Sequence, residues 1–174
     1  MAHQFTTSYV EDSLQMFRQY KLLAERAMAQ VSDEQLFALL DAEANSIALI
    51  VKHMAGNMRS RWTDFLTTDG EKPNRNRDSE FEGPPATRDD LMTLWENGWK
   101  CVFAAVEPLS DADLGRTVTI RGDAHSVMQA ISRQIAHYAQ HVGQIILLSK
   151  HYSGAEWKTV SMPKKNSSAT NARE

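Results

Sequence analysis

The sequence predicts an all-α protein, a four-helix bundle with a short irregular or β-like connection before the last helix. Four long segments repeat apolar residues at a spacing near 3.6, the period of an amphipathic helix. Most of these segments begin with a Ser or Thr followed three residues later by an acid or an amide, which is the pattern of a helix N-terminal cap. Several capped amphipathic helices joined by short connections are typical of a bundle.

The first half of the chain contains two of the long helices. The first is predicted over about residues 8–30, and a short helical segment over residues 32–40 follows it. The second long helix is predicted over about residues 45–66. A polar loop of about twenty residues then leads to the third helix, and loops of such length in compact domains are usually functional or disordered.

The second half of the chain contains the other two long helices. The third helix begins at Thr87 and is closed by Pro108. Residues 117–120 alternate like a strand before a Gly-Asp turn, which predicts a small hairpin or an extended pair. The fourth long helix is predicted from Ser126 to about Lys150.

Composition limits the classes of protein to which this chain can belong. With 174 residues, of which 42% are hydrophobic and 24% charged, we expect one soluble domain over residues 1–163 and a polar, disordered tail over residues 164–174. The formal net charge of −3 gives no general attraction to nucleic acid or membrane, so neither is an expected partner. One cysteine, Cys101, excludes an intrachain disulfide and fits a reducing, cytoplasmic location.

Three histidines are the candidate site. His137 and His141 are four residues apart, so they share one face of the last helix at the edge of its apolar arc. His53 lies at the corresponding edge of the second helix. If these helices pack side by side, three imidazole nitrogens meet and leave outer positions for water or substrate, which suits Zn, Ni, Co or Fe. The alternative is that the histidines are satisfied core residues or are solvated.

Three polar residues lie near this site in the predicted helices. Asn57 and Asp64 follow His53 along one stripe of the second helix, and Gln134 precedes His137 on the last helix. Such groups could orient the imidazoles of a metal site or contact a substrate. The alternative is that they are solvated, as polar residues at a helix edge usually are.

Arg61 is a charged residue in an apolar position. Its angular position places it among the buried residues near the end of the second helix. A guanidinium there needs an anionic partner or a water-filled cavity. Arg61 therefore either holds an anionic group of a substrate or cofactor, or forms a salt bridge to an acid of the long loop such as Asp69 or Glu80.

The residues around the histidines resemble those of the DinB/YfiT-like superfamily of metal-binding four-helix bundles. The matching stretches are Asn45-Ser-Ile-Ala-Leu-Ile-Val-Lys-His53 and His137-Tyr-Ala-Gln-His141-Val-Gly-Gln144. The segment after His53, over residues 54–72, is similar to one uncharacterised branch, and the resemblance extends to Pro163. It implies a divalent metal at His53, His137 and His141 and a homodimer. It does not imply one reaction, because the superfamily includes thiol-cofactor-dependent transferases and isomerases.

Two classes of function follow. The first is a metal-dependent enzyme acting on a small molecule, by S-transfer from a low-molecular-weight thiol or by hydrolysis. No HExxH motif is present, which argues against a peptidase, and no catalytic residue is assigned. The second is a non-catalytic metal-binding stress-response or interaction protein, in which the metal ties two helices together. Leu49 and Leu147, predicted on outer helix faces, are candidates for a dimer surface.

Overall fold

A computed structural model describes residues 6–161 as a helical bundle with one hairpin, which confirms the predicted fold class. The predicted tail over residues 164–174 lies outside the described residues. None of the helices in residues 6–161 combines the length and the apolar character needed to cross a membrane. The elements are α1 (Tyr9–Met28), α2 (Asp33–Phe37), α3 (Ile47–Trp62), α4 (Arg88–Val106), β1 (Thr117–Ile120), β2 (Asp123–Ser126) and α5 (Val127–Ser153), with one-turn 3₁₀ helices at Asp78–Phe81, Asp111–Asp113 and Gly154–Glu156.

The four long helices meet around an aromatic centre. Helix α3 packs between α4 and α5, while α1 packs against α5 and α4. Each long helix contributes at least one buried aromatic side chain to this centre, among them Phe17, Trp62, Trp99 and Tyr138. Ring centroids of the contacting pairs are 5.6–6.3 Å apart, the usual distance for edge-on or tilted aromatic packing. The indole N–H of Trp62 also donates to the hydroxyl of Tyr138 at 2.9 Å, which fixes α3 beside α5.

Helices α1, α4 and α5 begin at the predicted caps Ser8, Thr87 and Ser126, and Ser46, which is not a predicted cap, begins α3 in the same way. The hydroxyls of Ser8, Ser46, Thr87 and Ser126 each accept a backbone N–H from the first turn of their helix. Two helices end earlier than predicted. Helix α2 stops at Phe37 instead of residue 40, and α3 stops at Trp62 instead of continuing to residue 66.

The early end of α3 has a local cause. Thr63 is extended and Asp64 adopts a left-handed φ of 49°. The Asp64 carbonyl accepts the N–H groups of Thr67 and Thr68, both at 3.0 Å, so the chain turns away from the helix axis. The rest of the loop runs back across α3.

The long loop is fixed at both ends. Near its start, the Asp69 carboxylate accepts the backbone N–H groups of Glu71, Arg121 and Gly122 at 2.7–2.9 Å, which ties the loop to the β1–β2 turn. Near its end, Nζ of Lys52 on α3 donates to the carbonyls of Ser79, Glu82 and Gly83. The 3₁₀ helix Asp78–Phe81 is thereby held against α3 beside His53.

Candidate metal centre

The three predicted histidines converge between α3 and α5. The Nε2 atom of His137 lies 3.4 Å from Nε2 of His53 and 3.1 Å from Nε2 of His141. Two nitrogen ligands placed 2.0–2.1 Å from a tetrahedral ion are about 3.3–3.4 Å apart. These two spacings therefore match a shared metal ion, and all three ligand nitrogens lie within 4.8 Å of one another. His53 is buried, whereas His137 and His141 are partly exposed, so the cluster is open on the α5 side.

Hydrogen bonds at Nδ1 orient two of the imidazoles. Nδ1 of His53 lies 2.9 Å from Oε2 of Glu80, and Nδ1 of His141 lies 2.8 Å from Oε1 of Gln144. Because a carboxylate and an amide oxygen only accept, each Nδ1 carries the proton and each Nε2 keeps a lone pair. Both rings thus present the tautomer that a metal ion requires. Nδ1 of His137 is buried and has no partner among residues 6–161.

The electrostatic surroundings keep the partly exposed pair uncharged. Burial, together with the neighbouring His141 and His53, lowers the pKa of His137 to about 3. Burial also lowers the pKa of His141, although the hydrogen bond to Gln144 opposes this shift. Neutral imidazole is the form that binds metal, so these two residues are ready to act as ligands at neutral pH.

Glu80 is a buried carboxylate with a complete set of partners. The guanidinium of Arg75 donates from Nε to Oε1 at 2.7 Å and from Nη2 to Oε2 at 2.8 Å. Burial raises the pKa of Glu80, but the hydrogen bonds from Arg75 and His53 outweigh it, and the net pKa lies below its ordinary value. The carboxylate therefore stays ionised. A carboxylate that accepts Nδ1–H of a ligand histidine fixes the ring and raises its basicity.

The 3₁₀ helix Asp78–Phe81 holds the His53 ring by two contacts. Phe81 stacks on the imidazole, with centroids 4.5 Å apart and planes at 25°. Glu80 reaches Nδ1 by lying directly against Gly56 of α3, where an added Cβ would stand 2.5 Å from Oε1. A side chain at this position would displace the carboxylate, so the contact requires glycine.

The other predicted site residues do not hydrogen-bond to the histidines within residues 6–161. Asn57 is buried and accepts the hydroxyl proton of Tyr138 at 3.3 Å, so it extends the aromatic core. Gln134 is buried, and its Oε1 has no partner within the described part of the chain. Asp64 is exposed beyond the end of α3 instead of continuing the polar stripe of the helix.

Arg61 is a buried cation that is only partly neutralised. It is 3% exposed, and its ion-pair partner is Glu71, with Nη2 and Oε2 3.8 Å apart. The predicted salt bridge to an acid of the long loop is present, but the acid is Glu71. The two acids named as examples have other partners, because Asp69 accepts backbone N–H groups and Glu80 is taken by Arg75 and His53. Nε and Nη1 of Arg61 have no partner among residues 6–161. Burial lowers the pKa of Arg61, and the nearby Glu71 opposes that shift.

Sequence reasoning did not identify Glu80 and Arg75 as supports of the histidine cluster. Both lie in the long loop, where no helical period relates them to His53. The available signal was the length of the loop, which favours a functional role without indicating which residue carries it.

The fold and the cluster together define a helical-bundle protein with a candidate three-histidine metal site. Comparison with models of known protein families finds a match that covers nearly the whole chain. The family model described as "Protein of unknown function (DUF1572)" matches residues 4–166, and the chain belongs to this family. No curated protein was found to match it.

We predict that Glu80→Gln weakens metal binding about tenfold, because the neutral amide loses the charge that orients His53 and pairs with Arg75. The measurement is competition with a chromophoric chelator. Glu82→Gln is the matched control, since Glu82 lies in the same loop and its side chain contacts neither residue. Equal affinities for Glu80→Gln and the wild type would show that the carboxylate does not support the site.

Proposed function

We propose that this protein binds one divalent metal ion through Nε2 of His53, His137 and His141 and acts as a metal-dependent enzyme on a small molecule. The observation that carries the proposal is the convergence of the three Nε2 atoms, with the tautomers of two rings set by Glu80 and Gln144. The combination of helical fold and histidine triad supports a relationship to the DinB/YfiT-like superfamily. Zn, Ni, Co and Fe all suit three imidazole ligands.

The bound ion would supply Lewis acidity, which makes water or a small thiol nucleophilic at neutral pH. Reactions of this type are S-transfer from a low-molecular-weight thiol and hydrolysis. Three protein ligands leave positions for such a nucleophile, and the partial exposure of His137 and His141 supports access from solvent. This access favours an enzyme over a protein in which the metal only ties α3 to α5.

The residues of the chain have separate tasks in this proposal. His53, His137 and His141 hold the ion, while Glu80 and Phe81 keep the buried imidazole of His53 in one orientation. His53 is buried whereas His137 and His141 are partly exposed, so the reactants would approach the ion from the α5 side.

We predict that the purified protein contains close to one equivalent of divalent metal per chain, measured by elemental analysis. Alanine at His53, His137 or His141 should each reduce this content sharply, because two imidazoles make only half a site. His125→Ala and His151→Ala are matched controls, since neither residue belongs to the cluster. Full metal content in the triple alanine variant would disprove the proposal.

We further propose that Arg61 binds an anionic group of the substrate or cofactor. Two of its donors lack partners among residues 6–161, and it follows His53 by about two turns on α3. A guanidinium binds carboxylate or phosphate strongly in such surroundings.

For Arg61→Met we predict a raised Michaelis constant for any thiol or electrophile that the wild type turns over, with a loss of stability below about 1 kcal/mol. Stability should change little because the substitution removes the desolvation cost of an incompletely paired charge. Steady-state kinetics and thermal unfolding measure the two effects. A large fall in melting temperature with an unchanged Michaelis constant would instead make Arg61 a structural partner of Glu71.

We also propose a homodimer formed through the outer face of α5. Leu147 on that face is 67% exposed, whereas Leu49, predicted to lie outside, is half-buried and contributes less. Light scattering should give twice the chain mass of 19.6 kDa. Leu147→Glu should shift the mass toward that of one chain, and Leu39→Glu, at a residue 52% exposed outside α5, should not. A wild-type monomer at micromolar concentration would contradict this proposal.

A further inference from the structure

A cavity lies on the α4 side of α3. Its volume is about 710 Å³, which is in the range of small-molecule sites. Helix α3 lines it with Lys52, Gly56 and Arg59, which form a row next to the one that carries His53. None of the three cluster histidines lines the cavity. Its wall does include Glu80, whose carboxylate also hydrogen-bonds to His53, so the cavity and the candidate metal centre share one side chain.

The wall of this cavity has an apolar part. Ala55 and Gly98 lie where α3 and α4 approach closely, and a Cβ on Gly98 would be 3.1 Å from Cα of Ala55. Leu94 and Cys101 of α4 continue the apolar surface. A ligand in the cavity can therefore bury carbon atoms against α4 while its polar groups face the loop.

Positively charged side chains outnumber negatively charged ones in the wall of this cavity. Arg75 and Glu80 neutralise each other through two hydrogen bonds. Within residues 6–161 the ammonium group of Lys72 donates to two uncharged oxygen atoms, the hydroxyl of Thr68 and the carbonyl of Asp69.

Lys52 also donates to backbone carbonyls, and Arg59 adds a third cation, since neither of these side chains has an ion-pair partner within residues 6–161. The acid that remains, Asp64, is exposed at the end of α3. The cavity therefore keeps an excess of positive charge after its internal pairs are counted, and such a concave surface attracts anions.

We propose that this cavity binds a small organic anion, with its carboxylate or phosphate group at Arg59 and Lys72 and its carbon skeleton against Leu94, Gly98 and Cys101. The amides of Asn74 and Asn97 line the same space and can donate to further oxygen atoms of the ligand. The apolar wall distinguishes an organic anion from an inorganic one, because only the former gains from burying carbon surface.

The test is isothermal titration calorimetry of the full chain at low ionic strength, with phenyl phosphate, phthalate and inorganic phosphate as probes. We expect saturable binding of at least one organic anion and weaker binding of inorganic phosphate. Arg59→Gln/Lys72→Gln should weaken binding at least about tenfold, since bonds to charged groups are lost. The matched control is Arg26→Gln/Lys150→Gln, which removes the same charge at exposed positions outside the cavity.

Metal-depleted protein separates this site from the metal centre. The organic anion should bind it as tightly as it binds the protein as purified, whether or not the chain proves to be an enzyme. Loss of binding on metal removal, absence of saturable binding, or equal weakening by the two double variants would each overturn the proposal. If the Arg59→Gln/Lys72→Gln variant does not fold, judged by circular dichroism, Arg59→Gln alone replaces it, because Arg59 is exposed.

Discussion

The ion pair between Glu80 and Arg75 sets the arrangement of the histidine side of the protein. A carboxylate that is only 6% exposed destabilises the fold unless it is fully paired, so Arg75 and His53 must both be in position when the loop closes over α3. Arg75 in turn bonds to Glu71, which also pairs with Arg121 beside the hairpin turn. A chain of alternating charges thus connects the orientation of one imidazole to the β1–β2 turn.

The sequence predicts the parts of this structure that repeat or are local. Capping residues such as Ser8 and Ser126 mark helix starts because a side-chain oxygen must satisfy the free N–H groups of the first turn. The pairing of His137 with His141 follows from helical spacing alone, and the position of His53 follows once α3 and α5 are adjacent.

The remaining features depend on contacts that have no period in the sequence. Glu80 reaches His53 from a 3₁₀ helix 27 residues away, and its path depends on the missing side chain of Gly56. Helix α3 ends where Asp64 adopts a left-handed conformation. Arg61 pairs with Glu71 because Asp69 and Glu80 are bonded to other groups. Each of these features results from competition among nearby polar groups for hydrogen-bond and ion-pair partners. The sequence pattern does not show which partner each group will bind.

The distribution of the three histidines along the chain affects how folding and metal loading are linked. His137 and His141 form their half of the site whenever α5 is helical, whereas His53 is 84 positions before His137 and joins only when the bundle has assembled. An ion held by all three would bind the assembled state more tightly than a state in which α3 has separated from α5. By mass action, it would selectively suppress that local opening. The metal would then act as a latch whose strength varies with the free metal concentration around the protein.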